Sequence, residues 1–150
     1  MEKNENIENN WFIEYCNMSE DEKDLYQEFE IKDTDKINLK LYKRMYDAVT
    51  LMSLDYEEQS ITFPEDINVP DEIALVFNDE VIEMMDGFYK NGMLSTDDCV
   101  LIKKIDNKLL EIGKKQDENL WTLHALEHSK LWEECRQYAR LLLSSLHNLE

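Results

Sequence analysis

The stretch SKLWEECRQYARLLLSSLH, residues 129–147, decides the fold. Leu131, Trp132, Cys135, Ala139, Leu142 and Leu146 recur at spacings that gather them on one face of a helix over residues 130–147. Ser129 stands immediately before it as an N-cap. A helix with one apolar face buries that face against other elements, and the rest of the chain supplies them.

Three Gly and two Pro in 150 residues leave few breakers. Ser95 and Asp98 have the spacing of a capping pair and open a helix to about residue 112, with Leu101, Ile105 and Leu109 inward and Gly113 at its end. Gly92 sits where the preceding helix needs a left-handed stop. That helix starts at Asp71, just after Pro70, and runs to about Tyr89 with Ile73, Phe77, Val81, Met84 and Phe88 inward. Before it, residues 59–70 form an irregular loop with one short extended piece, because Ile61-Thr62-Phe63 precedes Pro64 and Pro70 follows. Residues 37–57 read as a long helix on Leu41, Met45, Ala48, Val49 and Met52.

Ser19 and Glu22 have capping-box spacing and start a helix to about Glu30 that buries Leu25 and Phe29, followed by a polar connector over residues 32–36. Residues 121–127 make a short helix. The expected architecture is all-α, with residues 11–150 forming a single domain of five or six helices around one core. Residues 1–10, mostly Glu, Asn and Lys, form a disordered tail. Trp11 and Phe12 beside it are packing aromatics, the alternative being an exposed anchor for a partner.

Composition bounds the function. A secretory leader and an apolar run of membrane-spanning length are both missing. Cys16, Cys99 and Cys135 are an odd set in no paired spacing, which reads as reduced thiols in a cytoplasmic compartment. The charge is informative: residues 1–35 carry 12 acids against 3 bases and residues 60–98 carry 10 against 1, so each block is −9 and together they account for the total of −18. The remaining segments are each neutral. So much concentrated charge of one sign costs a folded domain stability and points to a basic protein as partner. Direct nucleic-acid binding and anionic membranes are excluded, since both need clustered Lys and Arg.

The helix from Asp71 carries the sharpest pattern. At about 100° per residue from Glu72, Asp79 falls at about −20°, Glu83 at about +20° and Asp86 at about −40°. The four carboxylates make one stripe about 21 Å long, opposite the core face. Asp71 and Glu72 complement the helix dipole; Asp79, Glu83 and Asp86 lie beyond its reach. Wet helix faces usually interleave Glu with Lys, because like charges one turn apart cost a few tenths of a kcal/mol. The candidate partner-binding residues are therefore Glu72, Asp79, Glu83 and Asp86, with Glu65 and Asp66 in the connector and Asp24 and Glu28 on the first helix.

Catalytic chemistry is not spelled out. His124-Ala125-Leu126-Glu127-His128 matches a zinc-protease pattern, but a catalytic zinc needs a third protein ligand and a cleft. A structural metal at His124, His128 and Cys135 has permissible spacing, yet Cys135 falls on the apolar face. No glycine-rich phosphate loop exists. The expectation is a non-enzyme without metal or cofactor.

The segment Leu120-Trp121-Thr122 … Ala125-Leu126 … Leu131-Trp132-Glu133-Glu134-Cys135-Arg136 … Ala139 … Leu142-Leu143 … Leu146 resembles the end of bacterial immunity proteins of contact-dependent inhibition and related polymorphic toxin systems. It covers about a fifth of the chain and consists largely of packing residues, so no functional residue carries over. The resemblance implies a small helical cytoplasmic protein that binds a toxin, often a nuclease, stoichiometrically. The alternatives are an acidic nucleic-acid mimic that blocks a host DNA-binding defence protein, and a helical adaptor whose acidity serves solubility.

Overall fold

The computed structural model describes residues 10–25 and 32–148, and the regular elements among these are all helical, with no strand. In order they form α1 (Asn10–Cys16), α2 (Glu20–Leu25), α3 (Asp33–Ser53), α4 (Tyr56–Ser60), α5 (Val69–Phe77), a π-helical turn (Asn78–Ile82), α6 (Met85–Lys90), α7 (Thr96–Lys114), a 3₁₀ turn (Glu118–Trp121), α8 (Leu123–His128) and α9 (Lys130–Ser145).

The Ser129 hydroxyl accepts from the Leu131 N–H at 3.2 Å and starts α9, which buries Trp132, Cys135, Ala139 and Leu142. Its most extensive neighbours are α7 and α3. The end of α9 meets the beginning of α7 and the middle of α3. Ser145 donates to Asp98, and Tyr42 exchanges hydrogen bonds with the His147 backbone. Further back along α9, Glu134 pairs with Lys108 at 3.3 Å and Arg140 donates to the Ser53 carbonyl at 2.9 Å. So α9 runs antiparallel to both neighbours. On the other side α5 and the π turn pack on α3, and the π turn also touches α7, which closes a ring of four elements. One core of buried side chains fills it, from Phe12 to Leu146.

Two helix starts follow their sequence signals closely. Ser95 and Asp98 form a reciprocal capping box, with both bonds at 3.0 Å. Ser19 and Glu22 do the same ahead of α2. Gly92 adopts φ 72° at the end of α6, as its position required. α7 continues through Gly113 to Lys114 and buries Ile102, Ile105 and Ile112, while Leu101 and Leu109 are half-buried.

Other boundaries differ. α1 is a helix that the sequence did not mark, it takes in Asn10 from the expected tail, and Phe12 and Tyr15 on it are buried. Phe12 meets Tyr42 edge-on at 5.1 Å and His147 at 5.5 Å, and Trp11 packs half-buried on the core, which is the packing role. Residues 1–9, Phe29 and Glu30 lie outside the described residues.

The long second helix begins at Asp33 and stops at Ser53, where Leu54 and Asp55 are extended. Neither Gly nor Pro marks that stop. The last carbonyls of α3 are satisfied from elsewhere: Gln59 Nε2 donates to Leu51 and Met52 at 3.1 Å each, and Arg140 to Ser53. A helix end whose orphan carbonyls find side-chain donors needs no glycine. Residues 61–68 are turns and bends without an extended strand. Asn68 then caps α5, which takes Val69 and Pro70 into its first turn.

The regular helix expected over residues 71–89 is interrupted. Glu83 N–H donates to the Asn78 carbonyl five residues back at 3.0 Å, the signature of a π turn. The cause is in the core pattern. Val69, Ile73, Phe77 and Val81 are all buried at steps of four, and each such step advances about 40° past a full turn. Three steps would carry the apolar stripe about 120° round the helix. The extra residue of the π turn takes back about 100° and returns Phe88 to the core.

Candidate partner-binding surface

That extra residue also re-aims the acidic side. Everything C-terminal to the turn is rotated by about 100° relative to a regular helix, so Glu83 and Asp86 do not stand over Glu72 in one straight stripe. Asp79, Glu83 and Asp86 are exposed, and Glu72 is half-buried. What the turn brings together is Asp79 and Glu83. The Asn78 amide donates to Glu83 Oε2 at 3.1 Å and to Asp79 Oδ1 at 3.4 Å.

Neighbouring Glu80 points the other way and is taken by Arg44 of α3, with contacts of 2.6 and 3.2 Å. Eight acids lie between residues 65 and 86. Glu80 is the one with an ion-pair partner among the described residues. Glu65, Asp66 and Asp71 are exposed around the start of α5. Asp24 is exposed on α2, and Glu28 lies outside the described residues. The second acidic block is therefore a face of largely unneutralised carboxylates, while α7 and α9 interleave their charges through pairs such as Lys108–Glu134.

Asn78 has a second role that the sequence does not announce. It lines an open groove of about 520 Å³ between α5, the π turn and α7, floored by Ala74, Ile82, Leu109, Leu110 and Trp121. Leu110 in that floor is about half exposed. The Asn68 amide donates to the Trp121 carbonyl at 2.9 Å, and the Trp132 indole N–H to the Leu120 carbonyl at 2.9 Å. These bonds fix the 3₁₀ turn that forms one wall. Asp106 and Lys114 complete the rim. The doubled Leu109-Leu110 was the one signal of this groove in the sequence, since a helix with a single core face has no use for both.

Elsewhere, the His124 and His128 rings lie 4.6 Å apart, tilted by 48°, on the exposed side of α8, with Glu127 3.3 Å from His128. No third ligand joins them into a metal-holding group among the described residues, and Cys135 is fully buried in the core. Burial pushes the Cys135 thiol up to about 12 and the Cys16 thiol to about 11, and raises Cys99 as well. The thiolate, the reactive form, is thus disfavoured at each.

No family model matches this chain, and no curated protein or solved structure is detectably similar to it. Among the described residues no helix is long and apolar enough to cross a membrane.

Proposed function

We propose that this protein is an immunity protein that binds a basic bacterial toxin domain, a nuclease in the first instance, and neutralises it through the acidic face of α5, the π turn and α6. The observation that carries the reading is the set of uncompensated carboxylates from Glu65 to Asp86, of which Glu80 alone is ion-paired among the described residues. A nuclease must present positive charge to hold phosphate, and such a surface is what these carboxylates complement. Charge complementarity speeds association toward the order of 10⁸–10⁹ M⁻¹s⁻¹ at low salt, which suits an inhibitor that must outrun its toxin. The half-buried and exposed acids carry no partner-specific geometry of their own, so specificity falls to the groove and its surroundings. The protein acts in the cytoplasm under this reading, as a binder and not an enzyme.

Co-expression with the toxin domain encoded beside it tests the proposal. The wild-type chain restores growth, and Asp79→Lys with Glu83→Lys abolishes or strongly weakens the rescue. Binding to a host DNA-binding defence protein, with no rescue of any toxin, would instead establish the nucleic-acid-mimic alternative.

A further inference from the structure

The groove and the carboxylates beside it form one composite surface. Asn78 belongs to both: it lines the groove, and its amide holds Asp79 and Glu83 at the edge. The volume of about 520 Å³ falls within the roughly 300–1,000 Å³ of ligand-sized clefts, so more than one side chain fits. Its floor is apolar, and Leu110 there exposes about half of its surface. Exposed apolar area rimmed by polar groups marks an interaction site.

Charge selects the occupant. Asp79, Glu83 and Asp106 outweigh Lys114 around the groove. An anionic ligand or nucleic acid is repelled, and so is a second copy of a chain carrying −18. A neutral small molecule would leave the carboxylates of Asp79, Glu83 and Asp106 without a cationic partner. We infer that the groove receives a cationic amphipathic segment of a protein partner, whose large apolar side chains enter over Leu110 and Ile82 while flanking Lys or Arg residues meet Asp79, Glu83 and Asp106. This deepens the immunity reading by naming the part of the partner that docks. It follows the general anatomy of interfaces, in which a desolvated apolar anchor sits inside a charged rim.

The test uses the full chain and a defined probe, a synthetic helical peptide of Leu on one face and Lys on the other, titrated by calorimetry and by amide chemical-shift mapping. Shifts clustered at Ala74, Ile82, Leu110 and Gly113 and at Asp79, Glu83 and Asp106, with affinity at least tenfold weaker in Leu110→Ser, support the inference. Leu110 is exposed, so the variant folds. Equal binding by that variant, or by a peptide with every Leu replaced by Ala, would show charge acting alone and overturn it. The same variant enters the growth-rescue assay. Rescue that survives Leu110→Ser but not Asp79→Lys/Glu83→Lys overturns the groove and leaves the immunity reading standing. Absence of rescue by the wild type removes the immunity reading, while the peptide titration still decides the groove.

Discussion

Arg136→Met is the substitution whose cost can be worked most closely. Arg136 is 3% exposed and carries its charge into the core side of α9. It donates to the Leu126 carbonyl at 2.8 Å, to Gln59 Oε1 at 3.2 Å and to Glu133 Oε1 at 2.9 Å. Methionine fills similar space but donates nothing. Two buried acceptors, on Gln59 and Leu126, lose a partner at about 1–3 kcal/mol each. Glu133 has a side chain about half exposed, 46%, so water replaces its bond at little cost. No longer holding a cation away from water offsets part of the loss. The net is about 3 kcal/mol, which with a urea slope near 2 kcal/mol/M moves the midpoint down by about 1.5 M.

Gln59→Leu breaks the same Gln59–Arg136 bond and additionally strands the Leu51 and Met52 carbonyls. The double variant should therefore cost less than the sum of the two, by about 1–2 kcal/mol. Urea unfolding followed by tryptophan emission measures all three, since Trp132 is buried on α9 itself. A loss below about 0.5 kcal/mol for Arg136→Met, the usual range of a surface change, or strict additivity in the double variant, would refute the view that this network closes the end of α3.

Four further outcomes follow from the charge, the caps and the thiols. Added salt should raise the thermal midpoint of the free protein, because it screens self-repulsion among the uncompensated acids; a midpoint that falls steadily with NaCl argues against that repulsion. Asp79→Lys/Glu83→Lys should leave stability unchanged or slightly raised in calorimetric melting, while partner association slows markedly and loses salt dependence. Asp98→Ala removes the capping bond to the Ser95 N–H and the bond from Ser145, and denaturant unfolding should show a loss of about 2–3 kcal/mol. Cys135 and Cys16, with thiols held at about 12 and 11, should react with a disulfide reagent at pH 8 far more slowly than the same thiols in urea.

The legible parts of this fold are those whose cause lies within a few residues. The Ser95–Asp98 box, the Gly92 stop and the Ser129 cap are all local chemistry, and each stands at its expected place. The break after Ser53 was not legible because its donors, Gln59 and Arg140, are supplied by α4 and α9. α1 was hidden by its polar surroundings, although Phe12 and Tyr15 give it a buried edge. The π turn was present in the text as the run of apolar residues at steps of four, whose drift a straight helix cannot accommodate. For the candidate surface, the sequence could list the acids but not their aim. It also could not show that Glu80, among them, is neutralised by an arginine 36 positions earlier.

The placement of α9 has a consequence for how the protein is made. The element that α3 and α7 both lean on is residues 130–145, so neither can bury its inner face while those residues are still being synthesised. At about 5–20 residues per second, α3 waits roughly 5 to 20 seconds after its own completion for its neighbour to arrive. During that time the side of α3 that α9 will cover stays open even if α5 and the π turn have already docked, an opening for chaperones and proteases. The acidic face follows the same timetable, since the π turn is seated on α3 and α7. Under the immunity reading, the binding face would thus be seated only once α9 is in place, and a ribosome stalled before residue 130 would yield a chain without it.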